Sequence, residues 1–332
     1  MNISASGEAQ YDISGGFDRY RFNHVALPEC NLDDIDLDTV FLGRAFSAPL
    51  FVSSMTGGYT QGESINAMIA RFCERNKLPF GVGSMRAMLE DEQWIPSFTI
   101  ARKNAPTSFI AANIGGVQLR DGLHPSFVKK MIDVIDANAI IVHLNPLQEL
   151  MQPEGDRHFK GIKDAISALV ETAPIPVIVK ETGAGISGTV ARELYHHCGV
   201  RVIDVAGAGG TSWAKVENLR RKDKERHSDA HLFDNWGIPT VDCLTDIKAQ
   251  HLSDLELISS GGVKNAHDVL KSICMGATIG AMAAVVIKEL LENGEEGLQR
   301  WFDELIRHLK TTMCLLGITS TKECGMHLLS RR

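Results

Sequence analysis

Much that would classify a protein at sight is scarce or missing in this 332-residue chain. Its 34 Lys and Arg are outnumbered by 41 Asp and Glu, a net charge of −7, which argues against the basic face of a general nucleic-acid binder. An anionic substrate stays open to it, held by local donors or by a metal. Cysteine is scattered: Cys30, Cys73, Cys198, Cys243, Cys274, Cys314 and Cys324 are odd in number and include no CxxC pair. Neither a zinc centre nor a disulfide framework is expected, and these residues read as small buried side chains in a reducing cytosol. No HxH or HExxH spacing occurs, which speaks against a transition-metal site. The opening stretch, residues 1–16, has no basic segment followed by an apolar one, so no signal peptide is expected. The longest apolar stretch, residues 279–287, falls far short of the ~20 residues that cross a bilayer. A cytoplasmic protein with neither membrane nor nucleic-acid partners is the expectation.

What is present is ordinary globular composition, 44% apolar and 23% charged, which excludes a disordered, collagenous or coiled-coil chain. Short apolar runs recur at residues 50–55, 79–84, 109–115, 139–145, 176–181, 201–206, 255–260 and 277–283. Most are continuously apolar, as parallel strands buried on both faces require. Between them residues 63–76, 126–137, 160–172, 189–197 and 266–275 carry helical patterns. Eight strand–helix units in alternation predict an α/β fold, a single (β/α)8 TIM barrel, with a doubly wound open sheet as runner-up. Barrels of roughly 250 residues form one domain. The organisation expected is therefore an N-terminal extension, residues 1–49, and a barrel, residues 50–332. The extension would cover the barrel bottom or reach a neighbouring subunit. After the sixth strand, residues 207–239 are too long for an ordinary loop of about 2–6 residues. This stretch carries a mixed charge run at 219–227, read as a solvated insertion lying where a lid over the site would lie.

The strand ends carry the chemistry. They finish in Ser53-Ser54-Met55-Thr56-Gly57-Gly58, Gly83-Ser84-Met85-Arg86, Ala112-Asn113-Ile114-Gly115-Gly116, His143-Leu144-Asn145, Lys180-Glu181-Thr182-Gly183, Ala206-Gly207-Ala208-Gly209-Gly210-Thr211 and Ser259-Ser260-Gly261-Gly262. One Ser or Asn there is explained by helix capping. Seven polar tips together predict a ligand site at the C-terminal face of the barrel. Gly261-Gly262-Val263-Lys264 opens a helix after the seventh strand, where backbone N–H groups cradle phosphate, and Ala283-Ala284 would form the second half of that seat.

Lys180 ends an otherwise apolar strand, so its ammonium needs a partner. Schiff-base formation, pairing with an electron-rich cofactor ring, and a salt bridge to Glu181 all fit that position. After the fourth strand, Glu149 is the better candidate for Mg²⁺, shared with substrate phosphate oxygens, while Glu154 and Asp156 read as a solvated turn.

In their order, the segments Phe17-Asp18-Arg19-Tyr20-Arg21-Phe22-Asn23-His24, Ser53 to Gly58, Gly81 to Arg86, His143 to Glu149, Val179-Lys180-Glu181 and Gly209 to Ala214 resemble the type 2 isopentenyl diphosphate isomerases. The resemblance implies an FMN-dependent barrel that interconverts isopentenyl and dimethylallyl diphosphate. It further implies Mg²⁺, NADPH as the reductant that primes the flavin, and a homo-oligomer, tetramer or octamer. It puts Ser54, Met55, Thr56, Gly57, Ser84, Asn113 and Thr211 along the flavin and Lys180 beside its ring, where the Schiff-base reading falls. Gly262, Val263, Lys264, Ala283 and Ala284 would take the FMN phosphate. Ser84, Met85 and Arg86 would meet substrate, His143 and Asn145 would border the diphosphate, Gln148 would sit beside the reacting carbons, and Glu149 would hold Mg²⁺.

Met85 stands where the family has Gln, so one polar substrate contact is lost or made by backbone. The family's Arg-Lys-x-x-His segment has no counterpart, since no Lys or Arg precedes Arg19: either the sequence starts late relative to the gene product or the substrate is held more weakly, and the expectation is a weak hold on isopentenyl diphosphate with near-normal FMN binding. Two rival enzyme readings fail on residues, since this chain has neither feature that they require. An FMN-dependent α-hydroxy-acid dehydrogenase needs a His–Arg pair near the sixth and seventh tips, and a relative of IMP dehydrogenase needs a Cys where this chain has Thr211-Ser212. A flavin-binding relic without turnover is the non-enzyme alternative.

Overall fold

The computed structural model describes residues 7–122, 125–220 and 230–332. Among them, eight parallel strands close into a barrel: β1 Leu50–Val52, β2 Phe80–Gly81, β3 Ile110–Gly115, β4 Ala139–Leu144, β5 Val177–Glu181, β6 Val202–Asp204, β7 Glu256–Ser259 and β8 Ile279–Met282. Each strand pairs with the next in sequence, and Gly280 to Met282 of β8 pair with Leu50 to Val52 of β1 to shut the ring. The open-sheet alternative is thereby excluded. The strands are shorter than the apolar runs: β1 and β2 stop three residues before the end of theirs, whereas β3 and β5 lose only a first residue.

The helices α1 Gly62–Asn76, α2 Pro96–Asn104, α3 Pro125–Ile135, α4 Ile162–Thr172, α5 Gly188–Cys198, α6 Thr240–Lys248, α7 Ala266–Cys274 and α8 Ala284–Leu315 follow the strands in turn. Alternate strand residues fall into two separate cores, which explains the continuous apolar runs. Phe51, Ala111, Ile141, Ile178, Val202 and Ile258 fill the barrel interior. Leu50, Val52, Ile110, Ile140, Val179 and Leu257 face outward onto the helices. The apolar run at 279–287 is divided, its first part in β8 and its end in α8, and α8 is broken at Gly294, whose φ of 66° is not helical.

The extension works at both ends of the barrel. An antiparallel hairpin, Thr39–Phe41 with Arg44–Phe46, plugs the bottom. There Phe41 stacks edge-on against Phe51 and Phe109, at 6.2 and 5.9 Å between ring centroids, and the Leu42 N–H donates to the Glu256 carboxylate at 3.0 Å. Residues 7–16 instead reach the top, where Gln10 bridges to Thr211 and the Tyr11 N–H donates to Gly210 O at 2.9 Å. The stretch after β6 is partly helical, at Trp213–Arg220, with Ala214, Val216 and Glu217 buried. Most of the charge run, 221–227, lies outside the described residues. Among those described, no helix is long and apolar enough to cross a membrane.

Truncating the fully buried plug residue, Phe41→Ala, should cost about 3–5 kcal/mol in urea unfolding. The same truncation at exposed Val40, one residue away on the other face of the hairpin, should cost no more than about 0.5 kcal/mol.

Candidate active site

The strand tips surround a cavity of about 930 Å³ at the C-terminal mouth. Its wall includes Ser54, Met55 and Gly57 after β1, Ser84 and Arg86 after β2, Asn113 in β3, His143 in β4 and Lys180 in β5. Asn145, Gln148 and Glu149 border it beyond β4, and Thr211 beyond β6. Gly262, Val263 and Lys264 follow β7, while Ala283 and Ala284 follow β8.

Two expected residues do not line it. Met85 is fully buried in the outer core with Met88 and Phe98, and only its backbone turns inward, donating to Asn113 O at 2.8 Å. Its neighbours Ser84 and Arg86 take the cavity side, so an apolar residue at 85 suits its surroundings and offers no side-chain contact to substrate. Thr56 is likewise buried, with its hydroxyl bonded to the Asn66 side chain. It ties the β1 tip to α1 and accepts the Gly83 N–H at 2.6 Å.

Lys180 finds a partner, though not Glu181. Its Nζ lies 3.0 Å from Asp204 Oδ2 on β6, and Ser260 Oγ donates to the other oxygen of that carboxylate at 2.5 Å. Successive strand residues face opposite ways, so Glu181 points out of the barrel. There its Oε2 accepts the N–H groups of Gly183 at 2.5 Å, Ala184, and Gly185 at 3.2 Å. Burial nevertheless pushes the Glu181 carboxyl up to about 7 against these bonds and the nearby Lys180 charge.

His143 is pushed down to about 4, first by burial and then by the Lys180 charge. It is therefore neutral at physiological pH. Its Nδ1 lies 2.7 Å from the acceptor Asn113 Oδ1, so the ring proton belongs on Nδ1 and Nε2 is left as an acceptor.

The short helix Pro146–Met151 starts at Asn145 and presents an amide–carboxylate cluster. Asn145 Nδ2 donates to Glu149 Oε1 at 3.0 Å and to Gln148 Oε1 at 3.3 Å. The Asp156 N–H donates to Glu149 Oε2 at 2.9 Å. Gln148 Nε2 donates at 3.0 Å to Glu217, which also accepts from Gln152 at 2.9 Å and pairs with Arg220 at 2.9 Å. Glu217 was not expected from sequence, nor were Asp204, Gln10, Tyr59 and Lys288. Of these, Gln10, Tyr59 and Lys288 line the cavity directly.

The residues fit FMN at its two ends. Backbones after β6 and β7 touch so closely that a Cβ on Gly210 would lie 2.7 Å from Gly262 N, which keeps this wall free of side chains. The first turn of α8 has no side-chain cap at Ala283, so its N–H groups are open to a phosphate. Nearer the barrel axis, Ser53 and Ser54 line the cavity, and their buried hydroxyls have no hydrogen-bond partner. For a divalent cation the fit is narrower. Among the described residues no group of three or more His, Cys, Asp or Glu forms a metal cluster, so Glu149 would need phosphate and water to complete a Mg²⁺ shell.

A parallel (β/α)8 barrel with a cavity at its C-terminal mouth is the class this fold and site define. Residues 127–331 match the FMN-dependent dehydrogenase family. Solved structures agree on the fold. The flavin-binding domain of baker's yeast flavocytochrome b2 aligns with a TM-score of 0.72 at 18% identity, covering 99% of this chain and 79% of that one. A mandelate oxidase variant aligns with a TM-score of 0.70 at 16% identity, covering 100% and 94%. Sequence relatives are nearer. The isopentenyl-diphosphate delta-isomerase of Pelodictyon phaeoclathratiforme is 43% identical over 93% of this chain and 88% of its own. That of Nostoc sp. is 42% identical over 96% and 90%. The chain belongs to the isopentenyl-diphosphate delta-isomerase family.

The burial of Glu181 has a pH consequence. Its folded value of about 7 lies above the ordinary 4.5, so the folded state binds the extra proton and loses stability as pH rises through that interval. Glu181→Gln keeps an acceptor for the three N–H groups and removes the ionisation. Urea unfolding should show the variant gaining on the parent between pH 5 and pH 8; a gap that stays constant over that range contradicts the reading.

Proposed function

We propose that the protein interconverts isopentenyl and dimethylallyl diphosphate, with FMN in its reduced state and Mg²⁺ on the diphosphate. One observation carries this reading: residues from all eight strand tips converge on a single cavity, with the uncapped start of α8 at one side and an amide–carboxylate cluster at another. Reduced FMN, when bound, supplies the acid/base group for the 1,3-allylic proton shift, and NADPH supplies the reducing equivalents without being consumed in step with turnover.

This chain's residues do the rest. Gly262, Val263, Lys264, Ala283 and Ala284 hold the FMN phosphate through backbone N–H groups and the lysine charge. Ser54, Met55, Gly57, Ser84, Asn113 and Thr211 line the ring, and Lys180 stabilises negative charge on it. Neutral His143 offers Nε2 as an acceptor at the diphosphate end. Arg86, exposed and paired with Glu90 at 2.6 Å, is free to exchange that partner for phosphate oxygens. Glu149 gives Mg²⁺ one carboxylate, as a cation that keeps its remaining shell in water and phosphate requires. Gln148, held by Asn145 and Glu217, borders the reacting carbons. Wider inferences rest on the family alone: a cytoplasmic setting and a homo-oligomer, tetramer or octamer. The fold likeness to flavocytochrome b2 raises the α-hydroxy-acid dehydrogenase reading. Against it, the His and Arg that line the cavity, among the described residues, come from β4 and from the short helix Arg86–Glu90 after β2.

The test is direct. Protein supplied with FMN, NADPH and Mg²⁺ should convert isopentenyl diphosphate to dimethylallyl diphosphate with far less than one NADPH oxidised per product. Glu149→Gln should raise the Mg²⁺ needed for half-maximal rate by at least about tenfold. Flavin-loaded protein that gives no product, or that takes up oxygen with hydroxy acids, would sink the proposal.

A further inference from the structure

Behind the cavity wall, three neighbouring strand tips share one cluster of charge. Lys180 lies in β5, Asp204 ends β6, and Ser260 follows β7. The Lys180 ammonium is 3.0 Å from Asp204 Oδ2 and donates to Ser260 Oγ at 3.4 Å, while Ser260 Oγ donates to Asp204 Oδ1 at 2.5 Å. The Ala206 N–H adds a 3.3 Å bond to the same carboxylate oxygen. Lys180 and Ser260 line the cavity and Asp204, 2% exposed, does not. The carboxylate therefore stands behind an ammonium that faces the ligand space.

We propose that Asp204 is a positioning residue for this reaction: it anchors Lys180 at the cavity wall, with Ser260 as the bridge, and sets the charge that Lys180 presents to a bound flavin. The inference rests on the FMN reading above. A bare ammonium beside the ring favours the negatively charged reduced state and raises its reduction potential. A buried carboxylate 3.0 Å behind it opposes that effect, and so little water reaches either group that neither charge is well screened. The arrangement also accounts for a buried aspartate that does not line the cavity: without it, Lys180 would be an uncompensated charge in the barrel.

The readout is the reduction potential of bound FMN, by equilibrium titration against redox dyes. Asp204→Asn should move it to a more positive value, Lys180→Met to a more negative one, and Asp204→Glu, which keeps the charge, should stay near the parent. A merely structural aspartate would not produce shifts of opposite sign. If Asp204→Asn does not fold or loses FMN, the double variant Asp204→Asn/Lys180→Met replaces the whole ion pair by neutral groups. Its potential should then lie above that of Lys180→Met alone. An Asp204→Asn potential equal to the parent's, or a double variant equal to Lys180→Met, overturns the inference and leaves the FMN reading standing. A parent that takes up no FMN overturns both.

Discussion

The site depends on a constraint that leaves no room for side chains. On the β6–β7 side of the mouth, three stretches of backbone touch. A Cβ on Gly209 would lie 2.2 Å from Gly15 N, and one on Gly261 would lie 2.0 Å from Gly207 O. Gly209 and Gly261 also have φ of 126° and 93°, a region that favours glycine. This contact leaves peptide groups at that side of the mouth, and peptide N–H groups near a helix start are suited to a phosphate. It also draws residues 7–16 across the top, so that part of the N-terminal extension becomes cavity wall while another part plugs the opposite end. The seat in turn orients whatever it holds toward the barrel axis, where the tips of β1 to β5 present their side chains.

Electrostatics then divides the mouth into regions of different character. Lys180 meets its countercharge inside the barrel, and Glu181, one residue on, is turned away and held by three N–H groups, so the two never compensate each other by contact. His143, sharing the interior with that ammonium, stays neutral and serves as a hydrogen-bonding group. The cluster after β4 is different again: amides of Asn145, Gln148 and Gln152 are strung between the carboxylates of Glu149 and Glu217, which fixes each amide's orientation without placing two charges side by side. A polar network satisfied this fully is rigid, and rigidity is what a site that orients a small hydrocarbon needs.

Much of this was legible in the sequence. Strands buried on both faces leave continuous apolar runs, and eight such runs with polar ends specify a closed barrel and the face that carries its site. Side-chain direction past the strand ends was not legible. Met85 and Thr56 stand among cavity residues in the chain yet turn into the core, because the tips twist as they leave the ladder. Lys180 could be seen to need a partner, but Asp204 comes from the next strand, and only closure and register bring the two together. Glu217 was hidden by its neighbourhood, at the edge of a charge run that suggests solvent, whereas its helix packs that carboxylate under Gln148. Residues 7–16 have no periodicity to read, and close glycine contacts together with hydrogen bonds to Gly210, Ser212 and Trp236 decide where they lie.

The central claim is that a seat made of backbone holds FMN by its phosphate. Parallel titrations of purified protein with FMN and with riboflavin, followed by flavin fluorescence, test it most directly. The account predicts one FMN per chain and binding of riboflavin weaker by at least about a hundredfold, the loss of two or more charge-assisted hydrogen bonds. Equal affinity for the two, or no uptake of either, would contradict it.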